Sequence, residues 1–343
     1  MTQKIYETDS YVQSFTARVL QCSPAPGGFA VVLDRTAFFP EGGGQPCDTG
    51  TLGGARVLAV STDGETVTHT TDAPLPEGTE VTGCLNWAAR LDAMQQHTGE
   101  HILSGTLHRL FGAENVGFHI GSPYVRMDTS IPLTAAQLAE AEAEANAAVR
   151  ADTPVHCWVP DPETLARTDY RSKKELTGAV RITEFPGADR CACCGTHVAS
   201  SGQVGLLKLL SCQKFRDGVR LELLCGQRAL DCLASGWEQA RQIGQALSVK
   251  PQSAFAAVSR LQEELLSLKE KAARLEEADF ARTAAQYRGA GSVLHIAEPL
   301  DGDGARRLCD AIAKAAGGRC AVFAGRDGDY RYAVIESGGD LRQ

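Results

Sequence analysis

Two short strings hold the residues whose types and spacing point to chemistry. In His97-Thr98-Gly99-Glu100-His101 two imidazoles stand four residues apart. On a helix that spacing puts them on one face with Cβ atoms about 5–6 Å apart, close enough to share one ion. The pair alone fits equally well two histidines that cap a helix or fill a core. The second string, Cys191-Ala192-Cys193-Cys194-Gly195-Thr196-His197, sets a thiol and an imidazole four residues apart, with Gly195 easing the turn between them. Cysteine and histidine at such short spacing in a reduced protein are typical zinc donors. Joined, the strings give His97, His101, Cys193 and His197, a donor set suited to one zinc ion. Cys193 matches the four-residue step to His197. Cys191 and Cys194 form a Cys-x-x-Cys pair that could also hold metal or simply be buried as small apolar residues, so the thiolate stays open.

Other residues invite weaker readings. Gly42-Gly43-Gly44 follows an apolar run, and backbone without side chains can approach a phosphate or an RNA end closely; a plain turn or bulge is the simpler reading. Glu41, Gln45 and Asp48 flank it and could line a site. His119 alternates with apolar neighbours as on a strand, where it could meet substrate or sit in a core or on the surface. Glu100 lies between two candidate ligands and could hydrogen-bond one of them. Arg171, Lys173 and Lys174, with Arg216 and Arg220, are the best local nucleic-acid contacts, although most such clusters are merely solvated. His97-x-x-Glu100-His101 also fits an inverted zinc-peptidase signature, with Glu100 as general base and Glu175 completing the site. That reading leaves Cys193, His197 and the glycine loop without a task.

The elements that must position these residues are legible in outline. From Ser14 to Trp87 short period-two stretches are broken by Gly27-Gly28, Gly53-Gly54 and Asp63-Gly64, which predicts a small, mostly β domain shaped as a barrel. Leu91, Met94, His101, Leu103, Leu107 and Leu110 then recur at helical spacing between Arg90 and Phe111. Thr134 is a candidate N-cap for a second helix ending near Arg150. Residues 155 to 232 mix short strands, loops and the cysteine cluster. Ala254, Val258, Leu261, Leu265, Leu268, Ala272 and Leu275 step as a heptad does, which predicts a helical arm packed on something or an ordinary amphipathic helix. The tail reads as a strand at 292–296, a helix at 304–316 and a hairpin at 321–335 turning at Asp327-Gly328. This is a thin domain, expected to be incomplete or trimmed.

With 343 residues, the chain is expected to hold two to three domains. It has no long apolar run and no secretory signal, so a soluble, cytosolic protein is expected, and no membrane partner. Twelve cysteines without a signal peptide are better read as reduced thiols than as a disulfide framework. A net charge of −8 excludes broad non-specific nucleic-acid binding, so any RNA contact must be local.

Three strings together carry a family resemblance: Met94 to Ser104, Cys193 to Val198, and Phe38-Phe39-Pro40-Glu41-Gly42-Gly43-Gly44-Gln45-Pro46. They resemble the AlaX proteins, free-standing relatives of the editing domain of alanyl-tRNA synthetase, in order and spacing from about residue 14 to residue 232. A helical arm followed by a small α/β tail is similar to the long subtype. Two departures stand out: Cys194 where the family commonly has glycine, and a tail without the expected Gly-rich stretch. The resemblance implies an α+β fold with a glycine-motif β-barrel domain at 1–88, a zinc-binding editing domain at 89–240, a helical arm at 241–288 and a small α/β C-terminal domain at 289–343. It implies zinc as cofactor and mischarged tRNA(Ala) as partner, with a candidate homodimer through the arm or the tail. Gly42, Gly43, Gly44, Arg171, Lys173 and Lys174 become tRNA-binding candidates, and Gln45, Glu100, His119 and Thr196 catalytic ones. The implied reaction is hydrolysis of the ester of seryl-tRNA(Ala) and, more weakly, glycyl-tRNA(Ala), which a synthetase pocket built for alanine cannot fully exclude. A contact to the seryl hydroxyl would come from Gln45, Thr98, His119, Thr196 or the zinc itself. Zinc could orient the aminoacyl group or polarise the ester. Because the chain starts at the β domain, amino-acid activation and a role for ATP are not expected. The rival from another class is a non-catalytic tRNA-binding protein with a structural zinc, which a closed set of four ligands favours.

Overall fold

Alternating burial along Ser14–Ala25, with Phe15, Ala17 and Val19 inward, is what lets a single sheet wrap around its own apolar face. In the computed structural model, which describes residues 1–172 and 179–336, six strands close into a barrel. Their order is Ser14–Ala25, Gly28–Leu33, Val67–Thr71, Ala55–Thr62, Gly50–Leu52 and Glu80–Leu85. Val31, Leu33, Leu52, Val57, Val67 and Phe38 fill it. The turns fall where glycine permits positive φ, at Gly27-Gly28, Gly53-Gly54 and Gly64.

Asn86 ends the barrel and opens the helix Trp87–Phe111, accepting a hydrogen bond from the Ala89 amide; Gly112 closes the helix in the left-handed region. Every residue from Gln96 to Leu107 is buried, so this helix is central rather than amphipathic. Met94, Ile102, Leu103 and Leu107 pack with Val125, Met127, Leu221 and Leu223 of a sheet and with Leu138, Ala141 and Ala145 of the helix Ala135–Arg150. Each fully buried leucine or isoleucine there contributes about 1.5–3 kcal/mol. The capping box of that second helix, Thr134 with Gln137, is formed. The sheet runs Leu207–Phe215, Gly218–Cys225, Val125–Thr129, Asn115–Ile120, and a smaller one runs His156–Trp158, Ile182–Phe185, Asp189–Ala192. The fold is thus mixed α+β with a six-stranded barrel.

By its own contacts the chain divides into two compact units, Met1–Gly236 and Trp237–Gln343. The helix Gly226–Ala246, which the sequence reading lacked, crosses that division. In the second unit the helix Ala254–Ala285 buries Phe280 and Ala284 against the helix Gly302–Ala316 and its sheet. Along its middle the expected seam is open: Leu261, Leu265, Leu268 and Leu275 are 47–62% exposed. The strand Gly291–Ala297 pairs parallel with Gly317–Arg326, which returns through Asp327 and Gly328, both at positive φ, to Asp329–Ile335. Among the described residues no helix is long and apolar enough to cross a membrane.

Candidate metal centre

The two strings singled out above meet. The candidate donor atoms of His97, His101, Cys193 and His197 all lie within 4.8 Å of one another, and the residues are buried or nearly so. Two neighbouring turns of the central helix supply the first pair; the loop after Asp189–Ala192 supplies the second. Three imidazoles and one thiol converging in a largely buried site form a donor set that fits zinc.

Each imidazole is aimed by a contact at Nδ1. His97 Nδ1 lies 2.8 Å from Gln45 Oε1, which leaves its Nε2 facing Cys193 Sγ at 3.6 Å. His197 Nδ1 meets Thr98 Oγ1 at 3.2 Å, and its Nε2 lies 3.3 Å from Cys193 Sγ. His101 Nδ1 lies 3.3 Å from Asp189 Oδ2 and 3.1 Å from Cys191 Sγ. Such contacts fix tautomer and ring orientation, as the groups behind metal-bound histidines do. Phe118 stacks on His97 and Phe185 on His101, at centroid distances of 5.1 Å each, which keeps the rings from rotating.

Of the three cysteines, Cys193 alone shares this four-donor cluster. Burial would raise its thiol, but the facing His97, His197 and His101 hold it well below the ordinary value. Cys191 sits behind His101, and burial pushes its thiol up to about 11. Cys194 is exposed. Burial takes His197 down to about 3 against the opposing pull of Cys193. Burial would likewise raise Asp189, but hydrogen bonds from His101 and Arg171 hold it at about 2.

The glycine loop has a structural task at this site. Gly42 and Gln45 exchange two backbone hydrogen bonds, closing a tight turn that delivers the Gln45 side chain to His97. Gly44 has φ +87°, its carbonyl accepts from the Ile120 amide, and a Cβ there would overlap Phe118. A Cβ at Gly195 would overlap the His97 ring. Gln45 also donates to Thr196 Oγ1 at 2.8 Å and accepts from the Thr196 amide. Gln45 and Thr196 are therefore fully buried behind His97 and not part of the pocket wall.

That wall encloses about 760 Å³ and includes His97, Glu100, His101, Cys193, Gly42 and Gly43. Glu100 does not bond a ligand histidine; its Oε1 accepts from Asn115. His119 is exposed and absent from the wall, while its strand neighbour Phe118 fills the site side. Asp48 is also turned away, locked to the fully buried Arg90, which further donates to the carbonyls of Ser10 and Ala37. Arg171 lines the pocket but is held bidentately by Asp189, at 2.8 and 2.9 Å, and by Ser104. Arg220 is paired with Asp128 and Arg216 lies over Phe215. Lys173, Lys174 and Glu175 lie outside the described residues. Sequence reasoning missed Asn115, Phe118, Arg181 and Asp189. Only Asp189, two residues before Cys191, left a local signal. Arg181 donates to the carbonyls of Cys193 and Gly195 and so holds the cysteine loop.

A family model described as the threonyl and alanyl tRNA synthetase second additional domain matches residues 180–221. The alanyl-tRNA editing protein Aarsd1 of Mus musculus is 31% identical over 274 residues, covering 75% of this chain and 66% of that protein. Aarsd1-B of Xenopus laevis is 31% identical over 279 residues, covering 76% and 68%. The alanine–tRNA ligase of Ignicoccus hospitalis is 31% identical over 316 residues, 88% of this chain but only 33% of the ligase. The chain thus spans about two-thirds of the editing proteins' length and a third of the ligase's.

Proposed function

The chain belongs to the AlaX-like family of alanyl-tRNA editing proteins, and on that premise we propose that it hydrolyses the ester of seryl-tRNA(Ala), and more weakly of glycyl-tRNA(Ala), in a zinc-containing pocket. The observation that carries the reading is the convergence of three imidazoles and one thiol, of which His97, His101 and Cys193 line a pocket whose wall also includes the backbone of Gly42 and Gly43. His97, His101, Cys193 and His197 hold the ion. When bound, zinc supplies Lewis acidity for the ester carbonyl or a fixed point for the aminoacyl group. Gln45, with Thr196 behind it, fixes the His97 ring; Thr98 does the same for His197, and Asp189, clamped by Arg171, for His101. Gly42 and Gly43 present backbone that a terminal ribose and phosphate can approach. In the proposed four-part division at 88, 240 and 288, the pocket-lining residues fall in the barrel and editing domains.

The test is deacylation of the same tRNA carrying serine, glycine or alanine. Serine is removed fastest, because a site that hydrogen-bonds the seryl hydroxyl leaves polar groups unpaired when glycine or alanine enters; glycine is removed more slowly and alanine is spared. Equal cleavage of seryl- and alanyl-tRNA, or none by zinc-loaded protein, overturns the proposal. The complete donor set favours one second reading, a structural zinc in a tRNA-binding protein; that protein would bind the three tRNAs and cleave none.

A further inference from the structure

Glu100 lies on the central helix between His97 and His101, is 1% exposed and lines the pocket. Its Oε1 accepts from Asn115 Nδ2. Its Oε2 is the one buried side-chain oxygen or nitrogen among the described residues with no hydrogen-bond partner. A buried polar atom left this way is destabilising, the more so when charged, and one retained on a pocket wall points to a donor that arrives with the ligand. Glu100 stands outside the four-donor group, so metal binding by that set does not use it. The other pocket carboxylates are already engaged or open to water: Glu7 with Lys4, Glu114 with His108 and Arg171, Glu41 exposed.

We propose that Glu100 Oε2 receives the α-ammonium group of the aminoacyl ester and so selects for an amino acid over other acyl groups. The assignment rests on the pocket accepting an aminoacyl-tRNA. In such an ester the ammonium group is one carbon from the carbonyl, so a carbonyl placed at His97 and His101 puts the ammonium beside the residue between them. A charged donor offsets the burial of a carboxylate better than a neutral hydroxyl does. Asn115 holds the other oxygen, which turns the carboxylate as a unit and leaves Oε2 for the ligand.

The experiment compares kcat/KM for seryl-tRNA with that for the same tRNA carrying a 3-hydroxypropionyl ester, which keeps the hydroxyl and replaces the ammonium by hydrogen, each divided by its spontaneous hydrolysis rate. The wild type prefers the seryl ester by roughly ten- to a hundredfold, the range of a charge-assisted hydrogen bond. Glu100→Gln retains an oxygen for Asn115 and its zinc content, and its preference falls to near one. A wild-type ratio of one overturns the assignment while leaving editing intact, as does a Glu100→Gln variant that loses both activities equally. A wild type that cleaves neither ester overturns the proposed function and this assignment with it. The wild-type ratio decides alone should Glu100→Gln lose its fold.

Discussion

At the scale of single residues, the aim of the His97 ring depends on a side chain 52 positions away, Gln45, brought in by the turn between Gly42 and Gln45. Gln45→Ala removes the acceptor that fixes the Nδ1 proton, and Gly195 leaves no side chain to replace it. We expect zinc affinity to fall by roughly 10–100-fold, the usual effect of losing the group behind a metal-bound histidine. Chelator competition on purified protein measures this, and an unchanged affinity would count against Gln45 as the group that orients His97. The cluster itself was legible because its two halves are local: imidazoles at i and i+4, thiol and imidazole at i and i+4. The groups behind it were not, because a hydrogen bond between distant strands and loops leaves no periodic trace. From sequence alone Gln45 is a candidate substrate contact and Arg171 a candidate phosphate contact; the fold gives each a partner in the site, His97 and Asp189. His119 shows the same limit at a strand: alternation assigns it a face but not which face meets the site, and Phe118 takes that place.

Among the elements, the barrel and the central helix were readable from period and turn chemistry, since Gly27-Gly28, Gly53-Gly54 and Asp63-Gly64 do mark hairpins. The helix Gly226–Ala246 was also within reach of the sequence, since Leu230, Leu233 and Trp237 stand at i, i+3 and i+7, although the structure leaves these three about half exposed. Inside the barrel, His69 is fully buried, with Nε2 2.8 Å from Thr36 Oγ1 and Nδ1 3.2 Å from the Val31 carbonyl. Burial lowers it to about 4 from 6.5. The folded chain therefore holds this ring neutral where the unfolded chain would protonate it. Its stabilising share is complete above pH 6.5 and is lost as pH falls through 4, a change of about 3 kcal/mol. His69→Leu should be less stable than wild type at pH 7, because Thr36 and Val31 lose a partner, and the gap should narrow by pH 4.5. Denaturant midpoints of both proteins at the two pH values test this; a gap constant with pH would mean that His69 is not the titrating group.

For the molecule as a whole, charge limits how it can hold RNA. The chain carries −8, and among the described residues the cations lining the pocket are already engaged: Lys4 with the Gly64 carbonyl and Glu7, Arg171 with Asp189, Ser104 and Glu114. Breaking the Arg171–Asp189 pair to reach a phosphate would also release the contact behind His101, so that arginine is poorly placed to serve RNA. In the proposed editing reaction, recognition then rests on the acceptor end inside the pocket, on backbone at Gly42 and Gly43 and on few phosphates. Counterion release scales with the number of phosphates neutralised, so the logarithm of affinity for aminoacylated tRNA should fall with the logarithm of salt at a slope of about −2 or shallower. Between 50 and 200 mM salt the affinity then drops about sixteenfold at most. A protein gripping the tRNA through an extended basic face would instead show a slope near −6 or steeper and lose affinity about four-thousandfold or more over the same range. Filter binding or fluorescence titration across that salt series separates the two, and a steep slope would overturn recognition through the pocket and a few phosphates.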